Sequence, residues 1–502
     1  MTTRTIKAVK GGITSLLQIG VLTILQIILA PAILKIAGQE VLGAYAIVMQ
    51  IIGYGLILDF GLGVALSRYL SQSFSYSDNG AKFANIFNVG RYFILLTNGL
   101  LSIFIMVLAF NVNNLIAGSQ AIIGDARTSL CFLSAWTIIK TPLVLYGYGL
   151  LATQNMATAN IIGLLGTISR LALSFCFVFR GFGLIGLVLA NVISEFIGLL
   201  LQKVCFDKLY PKLALQWRRP DMPMLRELFA FGLKYWGVNI AIVLTIGSDS
   251  IVIGQLYGAA TAAVFYTTKI PSFLITQFIY KISDNAGPAT NELVAQGNLA
   301  AVKSAYLRIL RYSLLLAFPL AISIVGFNKS VITAWVGANQ YGGSVMSLAL
   351  ACFVLTQVIN HVNAMITLAV GNMHNWMALS VVTGLMTITL AYILGKFLGM
   401  QWVMVAIAMM DIPIFVFLTR RAFAGLDLSY ARAWREAILP VLLVALPLLS
   451  WVGFVIATDQ ATSLVSTIIC IFVFAILWLL CVNALGITKL EGNLIRSKVG
   501  LT

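Results

Sequence analysis

Apolar residues run along this chain in blocks of about 20, separated by short polar connections, from Gly11 to Gly486. Each block is long enough to cross a hydrocarbon core of ~30 Å at the ~1.5 Å rise of a helical residue. The pattern predicts helices near residues 11–33, 43–65, 91–111, 128–150, 157–179 and 182–203. A second series follows at 228–256, 262–285, 305–328, 343–369, 375–396 and 401–418, with a final pair at 436–457 and 462–486. The expected fold class is therefore all-α, a polytopic membrane protein of about 14 transmembrane helices. Arg4, Lys7 and Lys10 before the first block and Ala30-Pro31-Ala32 near its end have the layout of a secretory signal. That block exceeds the about 7 to 15 residues of a cleavable apolar region, so it reads as an uncleaved first span.

Composition excludes a soluble protein: 60% of the residues are hydrophobic and 10% charged, against about 25% charged in globular proteins. The net charge of +16 does not point to nucleic acid, because the basic residues form no single patch. One alternate set of polar segments holds Arg4, Lys7 and Lys10; Arg68, Lys82 and Arg91; Lys208, Lys212, Arg218, Arg219 and Arg226; Lys303, Arg308 and Arg311; Arg420, Arg421, Arg432 and Arg435; and Lys489, Arg496 and Lys498. The other set holds little beyond Lys35, Arg127, Arg180, Lys329 and Lys396. Positively charged loops stay in the cytoplasm, which predicts that both termini are cytoplasmic and that the number of spans is even. The six cysteines lie apart, mostly inside apolar blocks, and His361 and His374 are the only histidines, so no metal site and no cofactor is expected.

The longest polar connection, from Cys205 to Glu227, contains Trp217-Arg218-Arg219-Pro220 and divides twelve spans into two sixes. The expected organisation is a six-helix bundle at 1–203, a basic cytoplasmic linker at 204–227, a second six-helix bundle at 228–420, and two additional spans with a cytoplasmic tail at 421–502. An internal echo accompanies this division. Asn155-Met156 matches Asn372-Met373, Gly183 matches Gly399 and Glu195 matches Asp411, while Leu42-Gly43-Ala44-Tyr45 corresponds to Ala263-Val264-Phe265-Tyr266. Duplicated halves with a substrate path near the bilayer midplane are a common plan of secondary transporters.

Ionisable residues inside the spans carry the chemistry, since each costs about 2.5 to 3.5 kcal/mol at a helix centre. Lys140, Arg170, Glu195 and Asp411 fall in the middle of their blocks; Asp59, Lys234, Asp249, Lys269 and His361 fall nearer an interface. Arg170 is roughly 14 to 20 Å from either end of its span, beyond the reach of a snorkelling side chain. Pro142 and Pro271 follow Lys140 and Lys269, where a helix is expected to bend and free backbone carbonyls. Such charges either pair internally, as Arg170 with Glu195, or line a hydrated cavity, and their number favours the cavity. Lys140, Arg170, Lys234 and Lys269 are candidates to hold a phosphorylated headgroup. Asp59, Glu195, Asp249 and Asp411 are candidates to carry a proton or a sodium ion, or to act as counter-ions. Asp59-Phe60-Gly61 spells a kinase fragment without a glycine-rich or catalytic loop, and no catalytic residue is expected.

The stretch Leu56-Ile57-Leu58-Asp59-Phe60-Gly61-Leu62-Gly63-Val64-Ala65-Leu66-Ser67-Arg68-Tyr69 resembles the second-helix signature of the polysaccharide biosynthesis and O-antigen flippase family. That family's superfamily also contains multidrug and toxic compound extrusion proteins and lipid II flippases. Gly181 to Ala190, Asp249 to Gly258 with Tyr266, and Pro288 with Asn291-Glu292-Leu293 and Gln296-Gly297-Asn298 continue the likeness in order along the chain. The resemblance implies two six-helix bundles around a central cavity, two extra C-terminal helices, alternating access and a polyprenyl-diphosphate-linked oligosaccharide as cargo. It also implies a bacterial inner membrane, with membrane lipids and polysaccharide polymerase machinery as partners. Where the family often has Asp-Arg, this chain has Asp249-Ser250, and the arginine's role does not carry over. The internal echo sets Thr387 opposite Arg170, so the midplane cation belongs to the first half alone. A multidrug or cation exporter of the same superfamily is the first alternative, expected to have twelve spans and an anionic or aromatic cavity. A membrane-embedded saccharide polymerase or ligase is another, disfavoured by the absence of polar loops longer than about 25 residues.

Overall fold

A computed structural model describes residues 3–73, 80–211, 213, 217, 219–371, 375–458, 460 and 464–486. Asn372, Met373, His374, Lys212, Arg218, Lys489, Arg496 and Lys498 lie outside the described residues, as do the side chains of Arg4, Lys7, Lys10, Leu56, Val64, Lys234 and Pro288. The described chain is helical and contains no strand. Hydrocarbon offers no partner to a peptide group, and a helix satisfies its own.

In chain order the helices are α1 (Thr3–Ile36), α2 (Gln39–Gly53), α3 (Gly55–Leu58), α4 (Leu62–Ser73), α5 (Ala81–Phe110), α6 (Gln120–Ile139), α7 (Thr141–Ala152), α8 (Met156–Phe179), α9 (Gly183–Leu209) and α10 (Met222–Ile246). They continue as α11 (Asp249–Tyr257), α12 (Ala259–Ala295), α13 (Leu299–Val336), α14 (Ser344–Val370), α15 (Trp376–Leu398), α16 (Gln401–Leu426), α17 (Tyr430–Ala433), α18 (Leu439–Ala457) and α19 (Leu464–Cys481). Among the described residues, ten helical segments are long and apolar enough to cross a membrane. Large apolar side chains such as Phe110, Phe179, Leu446 and Phe472 point outward, as a lipid-facing surface requires.

Three of the expected spans are interrupted. The block at 43–65 breaks around Asp59, where Phe60 (φ 49°) and Gly61 (φ 73°) are both left-handed. The break frees the Ile57 carbonyl, which accepts from the Trp236 indole at 2.5 Å, and the Asp59 carboxylate accepts from the Gly63 amide at 3.1 Å at the start of α4. The block at 128–150 breaks at Lys140, between α6 and α7, because Pro142 has no N–H to continue the ladder. The block at 228–256 breaks at Gly247–Ser248, between α10 and α11. Helix α12, by contrast, runs through Pro271 without interruption beside Lys269.

The chain forms two compact units: Met1–Tyr266 with Ser380–Ile388, and Thr267–Leu379 with Thr389–Thr502. In the first, Phe83, Phe87, Tyr146 and Phe206 stack between α5, α7 and α9. In the same unit α2 crosses the start of α12 so closely that a Cβ on Gly43 would stand 1.6 Å from the Ala259 carbonyl oxygen. Gln39 Nε2 donates to the Ala260 carbonyl at 2.8 Å beside this crossing. In the second unit, α18 and α19 pack on α13 through Phe327, Leu448, Val452 and Phe474, and the Trp478 indole donates to the Leu315 carbonyl at 3.0 Å.

Candidate functional site

Helices α8 and α9 run antiparallel from a tight turn at Gly181. On α8, Gly163, Gly166, Thr167 and Arg170 recur at the three- and four-residue spacing of one helical face. On α9, Asn191, Ser194, Glu195, Gly198 and Gln202 do the same, and the two faces line one cavity of about 370 Å³. That volume lies in the range of small-molecule sites, about 300 to 1,000 Å³. Gly198 keeps the space open, since nothing lies within 4 Å of where its Cβ would stand, whereas a Cβ on Gly163 would stand 2.4 Å from Gln18 Nε2.

Lys140 enters the cavity from the break between α6 and α7. Its ammonium donates to Glu195 Oε1 at 2.9 Å, and the Trp136 indole, one turn earlier on α6, donates to Glu195 Oε2 at 2.6 Å. The side chains of this pair are 17% and 35% exposed, so the bridge stands at the wall of a polar space and is not sealed in dry packing. Arg170 lines the same space, and among the described residues it makes neither an ion pair nor a hydrogen bond. It is close enough to Tyr45 of α2 and Tyr266 of α12 to act on their hydroxyls electrostatically. The internal pair expected as the alternative, Arg170 with Glu195, is replaced by Lys140 with Glu195, which leaves the guanidinium for something else.

Two cations and one carboxylate give the cavity an excess of one positive charge, and the amides of Asn191 and Gln202 add neutral donors. Such a set is suited to phosphate oxygens, which take charge-assisted hydrogen bonds from guanidinium and ammonium groups. Among the described residues no group of three or more His, Cys, Asp or Glu could hold a metal ion.

The remaining sequence candidates whose side chains are described lie elsewhere. Asp59 caps α4 as described. Asp249 begins α11, where its carboxylate accepts from the Gln50 side chain and from the Ser250 amide at 2.7 Å. Lys269 belongs to the second unit, near the Phe273 ring. Asp411, also in the second unit, accepts from Gln357 Nε2 at 2.8 Å and from Asn360 Nδ2 at 3.1 Å. Of the eight charged candidates, the structure thus brings Lys140, Arg170 and Glu195 to one cavity. Sequence reasoning missed Trp136, Asn191, Gln202, Gln357 and Asn360. The signal for Asn191 and Gln202 was present as a polar stripe at helical spacing through Glu195 on α9.

Residues 37–346, more than half of the chain, match a family described as polysaccharide biosynthesis protein. No curated protein matches the chain. Among solved structures, a lipid II flippase MurJ in an inward closed conformation aligns with a TM-score of 0.71 at 14% identity, covering 97% of this chain and 99% of that one. An inward-facing multidrug resistance MATE family transporter of the MOP superfamily aligns at 0.66 with 16% identity, covering 86% and 97%. A MOP superfamily transporter from Pyrococcus furiosus aligns at 0.60 with 18% identity, covering 84% and 96%. These likenesses show the fold.

Proposed function

The chain belongs to the polysaccharide biosynthesis protein family, and from that premise we propose that it is a flippase for a polyprenyl-diphosphate-linked oligosaccharide in the bacterial inner membrane. The observation that carries this reading is Arg170: a cation deep in an apolar span, in a cavity of about 370 Å³, with the neighbouring carboxylate already taken by Lys140. A diphosphate cannot enter hydrocarbon because burying its charge is prohibitive. Its polyprenyl tail can remain in lipid, so the protein has only to shelter the head. Arg170 and Lys140 neutralise the diphosphate while Asn191 and Gln202 meet sugar or phosphate oxygens.

The proposal includes alternating access by two six-helix bundles at 1–203 and 228–420, the linker at 204–227, the extra pair in 421–502, fourteen spans and cytoplasmic termini. Lys234 and Lys269 are assigned to later positions of the headgroup along its path. A proton or sodium gradient, acting through the carboxylates, gives the transport its direction, and polysaccharide polymerase machinery receives the product.

The test is reconstitution into liposomes with labelled polyprenyl-diphosphate saccharides, scoring their movement between leaflets. Wild-type protein is expected to move them and Arg170→Ala to insert normally without moving them; normal movement by that variant overturns the role. A drug or cation exporter is the second reading, supported by the MATE likeness in fold. The excess positive charge of the cavity counts against it, since a cationic cargo would be repelled.

A further inference from the structure

The second unit contains a counterpart of the Lys140–Glu195 arrangement with the cation left out. In the first unit an acid on α9 is held by Trp136 of α6 and by Lys140, one turn on at the break before α7. In the second, Asp411 on α16 is held by Gln357 and Asn360, about one turn apart on α14. The two acids are also partners in the sequence echo. Where Glu195 has an ammonium, Asp411 has two carboxamides and the Thr356 hydroxyl beside it, all neutral. Asp411 is 1% exposed, and among the described residues no lysine, arginine or histidine acts on it.

An ionised carboxylate in such a place is expensive to keep, since amide dipoles soften its burial without cancelling its charge. A second observation concerns the Asn360 amide, which is not fixed in one orientation by a partner at its other end. The Oδ1 atom of Asn360, itself 6% exposed, is buried beside Asp411 with no hydrogen-bond partner. Turned about, the same amide would accept from a protonated Asp411 with Nδ2 in the unpartnered place, so Asn360 can serve the charged acid as donor and the neutral acid as acceptor. A metal ion fits less well, because N–H groups at 2.8 to 3.2 Å already occupy the positions around both carboxylate oxygens.

The groups that face Asp411 are few. From α12, Tyr280 lies within electrostatic reach of it, and its hydroxyl donates to Gln357 Oε1 at 3.2 Å. The Tyr280 ring stacks on the His361 ring with centroids 4.0 Å apart; His361 Nε2 lies 2.8 Å from Asp284 Oδ1, and Lys281 bridges Asp284 at 2.9 Å.

We infer that Asp411 is a proton-binding site, uncharged in one state of the transport cycle and charged in another, and that Gln357 and Tyr280 pass its state to the half-exposed His361, Asp284 and Lys281. Duplication has thus given one acid a fixed counter-ion and the other an exchangeable one. This rests on the transport reading only for what the proton drives; binding itself is independent of cargo.

Infrared difference spectroscopy between acidic and alkaline pH, on the full chain in lipid nanodiscs with no substrate, tests it. Wild-type protein is expected to gain a protonated-carboxyl C=O band on acidification. Asp411→Asn, which matches the protonated acid in shape and keeps an acceptor for Asn360, is expected to lose that band. Asp411→Glu is expected to retain it at a shifted frequency, and sodium at constant pH is expected to leave it unchanged. A wild-type protein without the band, a band that survives Asp411→Asn, or one that follows sodium in place of pH overturns the proposal. None of these outcomes bears on lipid movement by Arg170, so the two readings fail separately.

Discussion

Gly61 and Gly232 touch backbone to backbone: a Cβ on Gly61 would stand 2.1 Å from the Gly232 carbonyl oxygen. The contact gives a physical reason for the Asp-Phe-Gly stretch of the second span. Gly61 is left-handed at φ 73°, which disfavours a side chain on conformational grounds, and α10 removes the space for one. Gly61→Ala is therefore expected to suffer twice. Gly181, at φ 80° with nothing within 4 Å of its missing Cβ, isolates the first effect. Gly181→Ala should cost about 1 kcal/mol and Gly61→Ala about 1 to 3 kcal/mol more. Thermal unfolding of the two purified variants measures the difference; equal losses would show that the close approach carries no energy.

The crossing of α2 with the start of α12 yields a second expectation. Gly43 meets Ala259 there, and Gln39 donates to the Ala260 carbonyl at 2.8 Å. In the orientation expected from the charge of the loops, this end of both helices would face away from the cytoplasm. In the proposed cycle, with α2 and α12 assigned to the bundles at 1–203 and 228–420, this seam would have to part. In a background lacking the native cysteines, Gln39→Cys with Ala260→Cys should form a disulfide under oxidation, stop lipid movement, and release it on reduction. Full movement by the cross-linked protein would mean that the seam stays shut throughout transport.

Hydropathy made the spans legible because a peptide group in hydrocarbon must be enclosed in a helix, and the helical rise then fixes the length of each block. It does not register breaks in the backbone. The interruptions at Phe60–Gly61 and Gly247–Ser248 each lie beside an Asp and a glycine, a local signal that averaging over a 20-residue block dilutes. Pro142 marked the break at Lys140 in advance, whereas Pro271 marked none, since a proline shows only that an N–H is absent. Arg170 and Glu195 stood out as midspan charges. Which cation Glu195 would take depended on how α6, α8 and α9 are rotated about their axes, and spacing within one helix contains no such information.

The Lys140–Glu195 bridge has a measurable strength. It is partly exposed, at 17% and 35%, and Trp136 shares the carboxylate. A double-mutant cycle with Lys140→Met and Glu195→Gln should give a coupling of about 0.5 to 3 kcal/mol in unfolding stability. Glu195→Gln alone should also strengthen retention of a diphosphate lipid, because it raises the excess charge of the cavity by one unit. A zero coupling energy would mean that the pair contributes geometry without stability.

Gly198 offers a way to separate the cavity from its charges. No atom lies within 4 Å of the position a Cβ would take there, and the residue lines the space that Arg170 and Lys140 share. Gly198→Leu replaces void with side chain and removes a helix-interior glycine, a change that by itself favours the helix by up to about 1 kcal/mol. The variant should unfold no sooner than the wild type and yet move labelled polyprenyl-diphosphate saccharides at least about tenfold more slowly, whereas Gly198→Ala should lose little. Arg170→Lys, which keeps the charge but not the planar fork, should fall between wild type and Arg170→Ala. If Gly198→Leu moved lipid at the wild-type rate, the headgroup would have to travel by a route other than the space between α8 and α9.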